Sequence, residues 1–407
     1  MAMVCGLDLH RRQITFDTLE TVSGEEWRGR IWQPDRARFR RWLREDVARR
    51  ANGEVALAVE GCTGWRYVVE EITAAGFEAH VAEPADTQAA RGRKHRAKTD
   101  RTDARLLRDL LAGGELPESW IPPEPVLEWR ERVRLYKSLV DQRTVWCQRI
   151  HAELYHHGVA VLEGAIRSDK TRGMLADPHV QLSPAARERI AVGYRMIDLT
   201  DTEAQPLKKA LTRFGTRQPA CKALVEAQYG IGGLIAVAAW SELGDCRRFS
   251  RSDQAVRHTG LDVSVDASDR RRAGGYLSRQ GPETLRWALY EAAKNASHHR
   301  SPDHDYYAQS RSVTAARSRR SRSLGSSRRP PTRTQSTAPS RWQPGSCRHP
   351  RGPVRVTSGS ELSRSLAAAI KSSRPIRLVG GATRLCPSTG SARTAGNTTS
   401  IPSAPTE

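Results

Sequence analysis

The run Glu54–Glu60, EVALAVE, limits what the first part of this chain can become more than any other feature. Every residue between its two acids is apolar, which is the pattern of a strand buried on both faces. Such a strand needs helices above and below it, and the flanking sequence supplies them. Met3–Leu9 and Gln13–Thr21 read as two strands joined by a tight turn at His10–Arg12, and Glu26–Trp32 reads as a third. Arg36–Arg50 reads as a charged helix with Phe39, Trp42 and Leu43 on one face. Gly64–Ala75 is an amphipathic helix, and Phe77–Val81 is another short strand. Thr102–Ala112 is a helix whose apolar side is Ala104, Leu106, Leu107, Leu110 and Leu111, ended by Gly113–Gly114.

Three antiparallel strands, a helix, a strand, a helix and a strand is the order expected of an α/β, ribonuclease-H-like domain. Within it four acids stand out. Asp8 and Glu60 each close an apolar run, and Asp100 and Asp103 sit in AKTDRTDAR among basic residues. An unpaired charge in an apolar strand is costly, and the carboxyl ends of strands are favoured sites in α/β folds. The spacing of Asp100 and Asp103 puts both on one face of a helix, although an Asp at a helix start is commonly a cap. Carboxylates gathered from separate segments suit two divalent ions about 3.5–4 Å apart, which activate the attacking oxygen and stabilise the leaving one in phosphoryl transfer. Mg²⁺ takes oxygen ligands and keeps several waters, so three or four carboxylates suffice. Lys94, Arg96, Lys98 and Arg101 around the Asp pair are candidates for phosphate contact.

Pro117–Pro125 reads as a linker, followed by one long helix over Leu127–His157. Its seam of Val133, Tyr136, Val140, Cys147, Ile150 and Leu154 favours a hairpin packed within the chain over a dimerising coiled coil. Residues 160–225 continue as charged, mostly helical sequence. Gly230–Gly233 then opens a helix over Leu234–Leu243; it resembles half of a helix–hairpin–helix, with a plain tight turn as the alternative. Gly260–Gly281 is rich in Gly, Arg, Ser and Asp, and Pro282–Asn295 reads as a helix.

The net charge of +21 suggests a nucleic-acid partner, but its distribution weakens that inference. Residues 311–407 hold 18 Lys+Arg and 2 Asp+Glu, which leaves 48 against 43 in residues 1–310. The tail also carries 19 serines and little apolar pattern, so it cannot offset its chain entropy by burial. It reads either as a DNA-tethering arm or, the favoured explanation, as the product of a shifted reading frame in GC-rich coding sequence. The seven cysteines show no metal-binding spacing, which points to a reducing compartment. With no signal-peptide pattern and no long apolar run, a cytoplasmic protein is expected.

GLDLH, VEGCTGW and KTDRTDAR resemble the three acidic blocks of one bacterial insertion-sequence transposase family. Its members join an N-terminal RuvC-like DEDD domain to a C-terminal serine transposase domain and act as recombinases guided by a bridge RNA. The stretch from GIGGLIAVAAWSELGD through RRFSRSDQAVRHTGLDVSVDASDRRRAGGYLSRQGPETLRWALYEAA is similar to that second domain. The resemblance covers about residues 1–310 and implies a RuvC-like DEDD domain over 1–115. It further implies a linker and helical segment over 116–225 and a serine-bearing domain over 226–310, and it leaves the basic, low-order tail over 311–407 outside.

The resemblance implies that Asp8, Glu60, Asp100 and Asp103 bind Mg²⁺ and that a serine attacks the DNA backbone. By position that serine is Ser268, with Ser264 as runner-up; on chemistry alone, Ser268 reads as a turn residue. Arg270, Arg271 and Arg272 would offset phosphate charge. DNA, a structured guide RNA and further copies of the chain are the implied partners. Asp269 stands where the family usually has glycine, Pro282 where asparagine is common, and the tail has no counterpart. The rival readings are a Holliday-junction-type metal nuclease that uses only the acids, and a nucleic-acid-binding remnant without catalysis.

Overall fold

Six strands form one sheet in the order β3-β2-β1-β4-β5-β6. The computed structural model describes residues 3–90, 99–160, 165–262, 267–268, 271–272, 277–305 and 307–309. Contacts divide the chain into two units between Glu128 and Trp129. In the first unit β1 (Met3–Leu9), β2 (Gln13–Glu20) and β3 (Glu26–Trp32) are antiparallel, while β4 (Val55–Glu60) and β5 (Glu78–Ala82) run parallel to β1. This is the ribonuclease-H-like order expected from the sequence.

Alternation along β1 decides which helix covers which face. Met3, Cys5 and Leu7 pack with Phe39, Trp42 and Leu43 of α1 (Arg36–Trp42) and its continuation, and with Val68, Val69 and Ile72 of α2 (Trp65–Ala74). Val4, Ala56, Ala58 and Ala82 face the other way, onto Leu107 and Leu111 of α4 (Asp100–Ala112). Small residues on that face let α4 lie unusually close. A methyl group added at Gly6 would stand 1.9 Å from the Ala104 carbonyl oxygen and 2.6 Å from the Arg108 nitrogen.

Three segments depart from the sequence reading. The helix expected over Arg36–Arg50 ends at Trp42 and widens into a π turn, Leu43–Val47, which keeps Leu43 and Val47 fully buried. A short helix, α3 (Pro84–Ala90), was not expected because it buries only Thr87 and so shows no apolar period. The Pro117–Pro125 segment is more than a linker: β6 (Glu118–Ser119) adds to the edge of β5, and the long helix α5 (Glu124–His156) already starts inside it. The ladder stops after two residues where prolines flank it, since proline cannot donate to a sheet.

In the second unit α5 and α7 (Pro184–Arg217) form an antiparallel hairpin, as favoured from the sequence. Val133 and Tyr136 share a core with Ala204 and Leu211, while Ile150 and Leu154 share another with Ile190 and Ile197. α6 (Asp169–Ala176) lies between them in sequence, and α8 (Pro219–Ala227) follows. α9 (Gly233–Leu243), α10 (Ser252–Thr259) and α11 (Glu283–Lys294) complete the unit, with α9 packed on α7, α8 and α11. Gly230 and Gly233 of the glycine turn sit where packing leaves no room for a side chain, which supports the plain tight turn. A methyl at Gly215 would meet Gly233 oxygen at 2.1 Å, and one at Gly230 would meet Asn295 at 2.6 Å. No helix among the described residues is long and apolar enough to cross a membrane.

Gly6→Ala is expected to cost about 3 kcal/mol, the upper part of the usual overpacking penalty, because backbone rather than a flexible side chain blocks the methyl. A urea unfolding midpoint unchanged from wild type would refute this.

Candidate active site

The end of β1 and the start of α4 build the site. β1 carries Asp8 on the α4 side, where it is 7% exposed. Glu60 ends β4, one residue beyond the last parallel pair, Leu7 with Val59, so it lies beside Asp8 at the same sheet edge. α4 begins with Thr99 as its cap: the Thr99 hydroxyl accepts from the Thr102 backbone N–H, and the Thr102 hydroxyl accepts from the Thr99 backbone N–H. The cap role considered for the Asp pair is therefore taken by a threonine. Asp100 and Asp103 are left in the first turn, where the helix dipole favours negative charge.

The closest grouping among the described residues is Asp8, His10 and Asp100, whose ligand-capable atoms all lie within 4.8 Å of one another. His10 Nε2 is 3.1 Å from Asp8 Oδ2 and 3.5 Å from Asp100 Oδ1. Gln13 donates from Nε2 to Asp100 Oδ2 at 2.6 Å. Asp103 is buried one turn further along α4 and acts on Asp8 through charge, and Glu60 does not enter the grouping. Burial pushes the Asp8 carboxyl up from 3.8 to about 6; His10 pulls against this, while Asp103 and Asp100 add to it. Burial also raises the Cys62 thiol, assisted by Glu60 and Asp8, which ties both acids to one locality.

These residues fit a divalent cation. Asp100 and Asp103 of α4 crowd the carboxyl of Asp8 on β1, which burial keeps poorly solvated. Next to them the buried Thr15 hydroxyl has no hydrogen-bond partner. A cation and its waters would relieve both features.

The serine loop belongs to the second unit. β7 (Ala267–Ser268) pairs antiparallel with β8 (Arg271–Arg272), so Ser268 stands opposite Arg271. Asp269 and Arg270, and the alternative Ser264, lie outside the described residues, as do Lys94, Arg96, Lys98 and the whole 311–407 tail. The base of the loop is firmly held. The Ser278 N–H donates to Asp262 oxygen at 3.0 Å and the Arg279 N–H to Gly260 oxygen at 3.0 Å. Gly260 has φ +68, and a methyl at Gly281 would meet the His258 carbonyl at 2.4 Å. Pro282 caps α11 without a side-chain hydrogen bond. Buried Glu242 is paired with Arg130 at 3.1 Å and Arg134 at 3.0 Å, and its backbone oxygen lies 3.3 Å from His258 Nε2. Burial, with Arg248 and Arg130 nearby, holds His258 down at about 4.

Residues 5–157 match a family model for DEDD transposases of the IS110 type, and residues 222–308 match the Transposase IS116/IS110/IS902 family. The chain belongs to that transposase family. The provisionally named transposase y4rJ of Sinorhizobium fredii (strain NBRC 101917 / NGR234) is 25% identical over 318 residues, which is 72% of this chain and 80% of that protein. The solved structure of T. thermophilus RuvC in complex with a Holliday junction substrate matches at 14% identity and TM-score 0.22. That match covers 29% of this chain and all of the RuvC chain. The two family matches make the transposase a DNA-recombining enzyme, and its DEDD domain implies a divalent metal.

His10 and Gln13 were not singled out from the sequence of the transposase. The available signal was spacing: His10 is two residues past Asp8, and alternation along a strand sends i and i+2 to one face. Gln13 becomes visible only once the β1–β2 register is known.

Because the folded state holds Asp8 above its ordinary value, it binds more protons than the unfolded chain between pH 4 and 6. Stability from this group is present at low pH and lost as pH rises through about 6. In EDTA, Asp8→Asn is therefore expected to be more stable than wild type at pH 7, by on the order of 2 kcal/mol, and indistinguishable from it at pH 4. Equal urea midpoints at pH 7 would contradict the assignment.

Proposed function

We propose that this transposase cleaves and rejoins the DNA of its insertion sequence, using Mg²⁺ held by Asp8, Glu60, Asp100 and Asp103 and the hydroxyl of Ser268 as nucleophile. The observation that carries the reading is the meeting of Asp8, from the first strand, with Asp100, from a distant helix, around a carboxyl that burial keeps poorly solvated. A bound divalent ion would supply Lewis-acid stabilisation of phosphate charge there. His10 and Gln13 hold the Asp100 and Asp8 carboxylates in place at the mouth of the cluster.

In the proposed step the Ser268 oxygen bonds to the phosphorus as its proton leaves to a base. The phosphorus–oxygen bond to one deoxyribose breaks, and that oxygen departs as a free hydroxyl. Rejoining reverses the exchange with a hydroxyl from another strand, so the phosphodiester bond is conserved without an external energy source. Arg270, Arg271 and Arg272, within four residues of Ser268, are assigned to phosphate charge. Lys94, Arg96, Lys98 and exposed Arg101 are assigned to nucleic-acid backbone beside the acids. A guide RNA from the element would choose the target, and exchange of several strands calls for a homo-oligomer.

Two variants separate the parts. Asp8→Asn is expected to lower strand cleavage with Mg²⁺ by at least a hundredfold while the protein remains folded. Wild type is expected to form a covalent protein–DNA adduct visible on denaturing gels, and Ser268→Ala to abolish it. If Ser268→Ala still recombines the element, the serine assignment fails and a metal nuclease using the acids alone becomes the better reading.

A further inference from the structure

Helix α4 does not cover the whole of its side of the sheet. It packs on β1, β2 and β4 and reaches β3 through Arg108 at Glu26, while Arg28, Arg30 and Trp32 further along β3 are exposed. Register connects these residues to the acids. Asp8 pairs with Thr15 and Thr15 with Arg30; the His10 N–H bonds the Gln13 carbonyl, and Gln13 pairs with Trp32. Directly paired residues point to the same face of a sheet. Two adjacent rows therefore run from the carboxylate cluster to the sheet edge, Asp8–Thr15–Arg30 and His10–Gln13–Trp32. At about 4.8 Å per strand, Arg30 and Trp32 stand roughly 10 Å from Asp8 and His10.

The chemistry at this edge is unlike an ordinary solvated rim. Trp32 is 58% exposed, and the Arg30 guanidinium lies 5.8 Å from the centre of its ring. Arg30 pairs with no carboxylate among the described residues. The backbone beneath is pinned: the Gln33 N–H donates to the Arg12 carbonyl at 2.8 Å with Gln33 held at φ +47, and Arg38 donates to the Trp32 carbonyl at 2.9 Å. An indole fixed at its base and more than half exposed, beside a cation that meets its ring but has no carboxylate partner among the described residues, has the two parts of a single-strand nucleic-acid platform: a stacking face and a phosphate contact. A duplex keeps its bases inside the stack and offers such an indole nothing to stack on.

We propose that Arg30 and Trp32 form a docking site for an unpaired DNA nucleotide beside the phosphate being cut, with Trp32 stacking on its base and Arg30 contacting its backbone. The site extends the reading of Asp8 and its neighbours as the cutting centre and rests on it. Charged side chains on an edge strand also guard against sheet-to-sheet pairing, and the test separates that role from binding.

The full chain is titrated against a fluorescent single strand of about 20 nucleotides, and against the same sequence as duplex, in Ca²⁺ with anisotropy as readout. Trp32→Ala is expected to weaken single-strand binding about tenfold, with Trp32→Phe retaining most of it. Arg30→Gln is expected to reduce the salt dependence by about one phosphate contact. A strand carrying 5-iododeoxyuridine should photocrosslink to the peptide containing Trp32. Unchanged affinity in Trp32→Ala, equal weakening in Trp32→Phe, or a loss seen on duplex alone would overturn the proposal. Asp8→Asn serves as the independent control: if it still cuts, the reading of the metal centre fails, whereas the anisotropy result stands on its own.

Discussion

The candidate centre depends on how closely α4 lies against β1 and β2. Gly6 removes the atom that would hold the helix away, and Ala56 and Ala58 keep the neighbouring strand low. Arg108, 2% exposed, then anchors the helix from inside. It pairs with Asp17 of β2, with Glu26 at 3.1 Å and with Asp109 at 2.6 Å. Burial pushes the Asp17 carboxyl up despite the guanidinium beside it, so the pair contributes little net stability. Its effect is positional. A slide of α4 would strand a buried charge, and the same helix carries Asp100 and Asp103 in its first turn.

That arrangement accounts for how an acidic site is maintained where acids repel. Asp8 cannot leave the sheet, since β1 is hydrogen-bonded on both sides. Asp100 and Asp103 cannot retreat without breaking the packing of α4. The repulsion is moderated by His10 and Gln13 and by the helix dipole. A divalent cation meets the same electrostatic demand more fully, which is why the geometry suits the chemistry assigned to it. The second unit follows another plan: glycines at 260 and 281 let the backbone segments on either side of residues 261–280 lie against each other, and buried Glu242 is held by two arginines.

Much of this was legible in the residues themselves. β1 and β4 carry clear strand patterns, and the acids at their ends, Asp8 and Glu60, were noticeable as charges in apolar runs. α3 was illegible because it has no apolar face. β6 was hidden because two edge residues between prolines leave no period to read. The roles of His10, Gln13, Arg30 and Trp32 were equally hidden. Each depends on which residue stands opposite across strands, and strand register is a long-range property that a local pattern does not encode.

The sequence by itself determined the α/β character of the first domain, the helical character of the middle, the family resemblance, and the four acids as the residues to watch. Its alternation also decided that Asp8 would share a face with Gly6, because strand geometry has a period of two. Only the tertiary structure decided that Thr99 rather than an aspartate caps α4, and that Asp8 meets Asp100 through His10. It alone placed an arginine and a tryptophan in line with them at the sheet edge. The physical reason is that caps, pairings and burial are settled by competition among groups far apart in the chain, which hydrogen bonding and desolvation resolve only when the chain has packed.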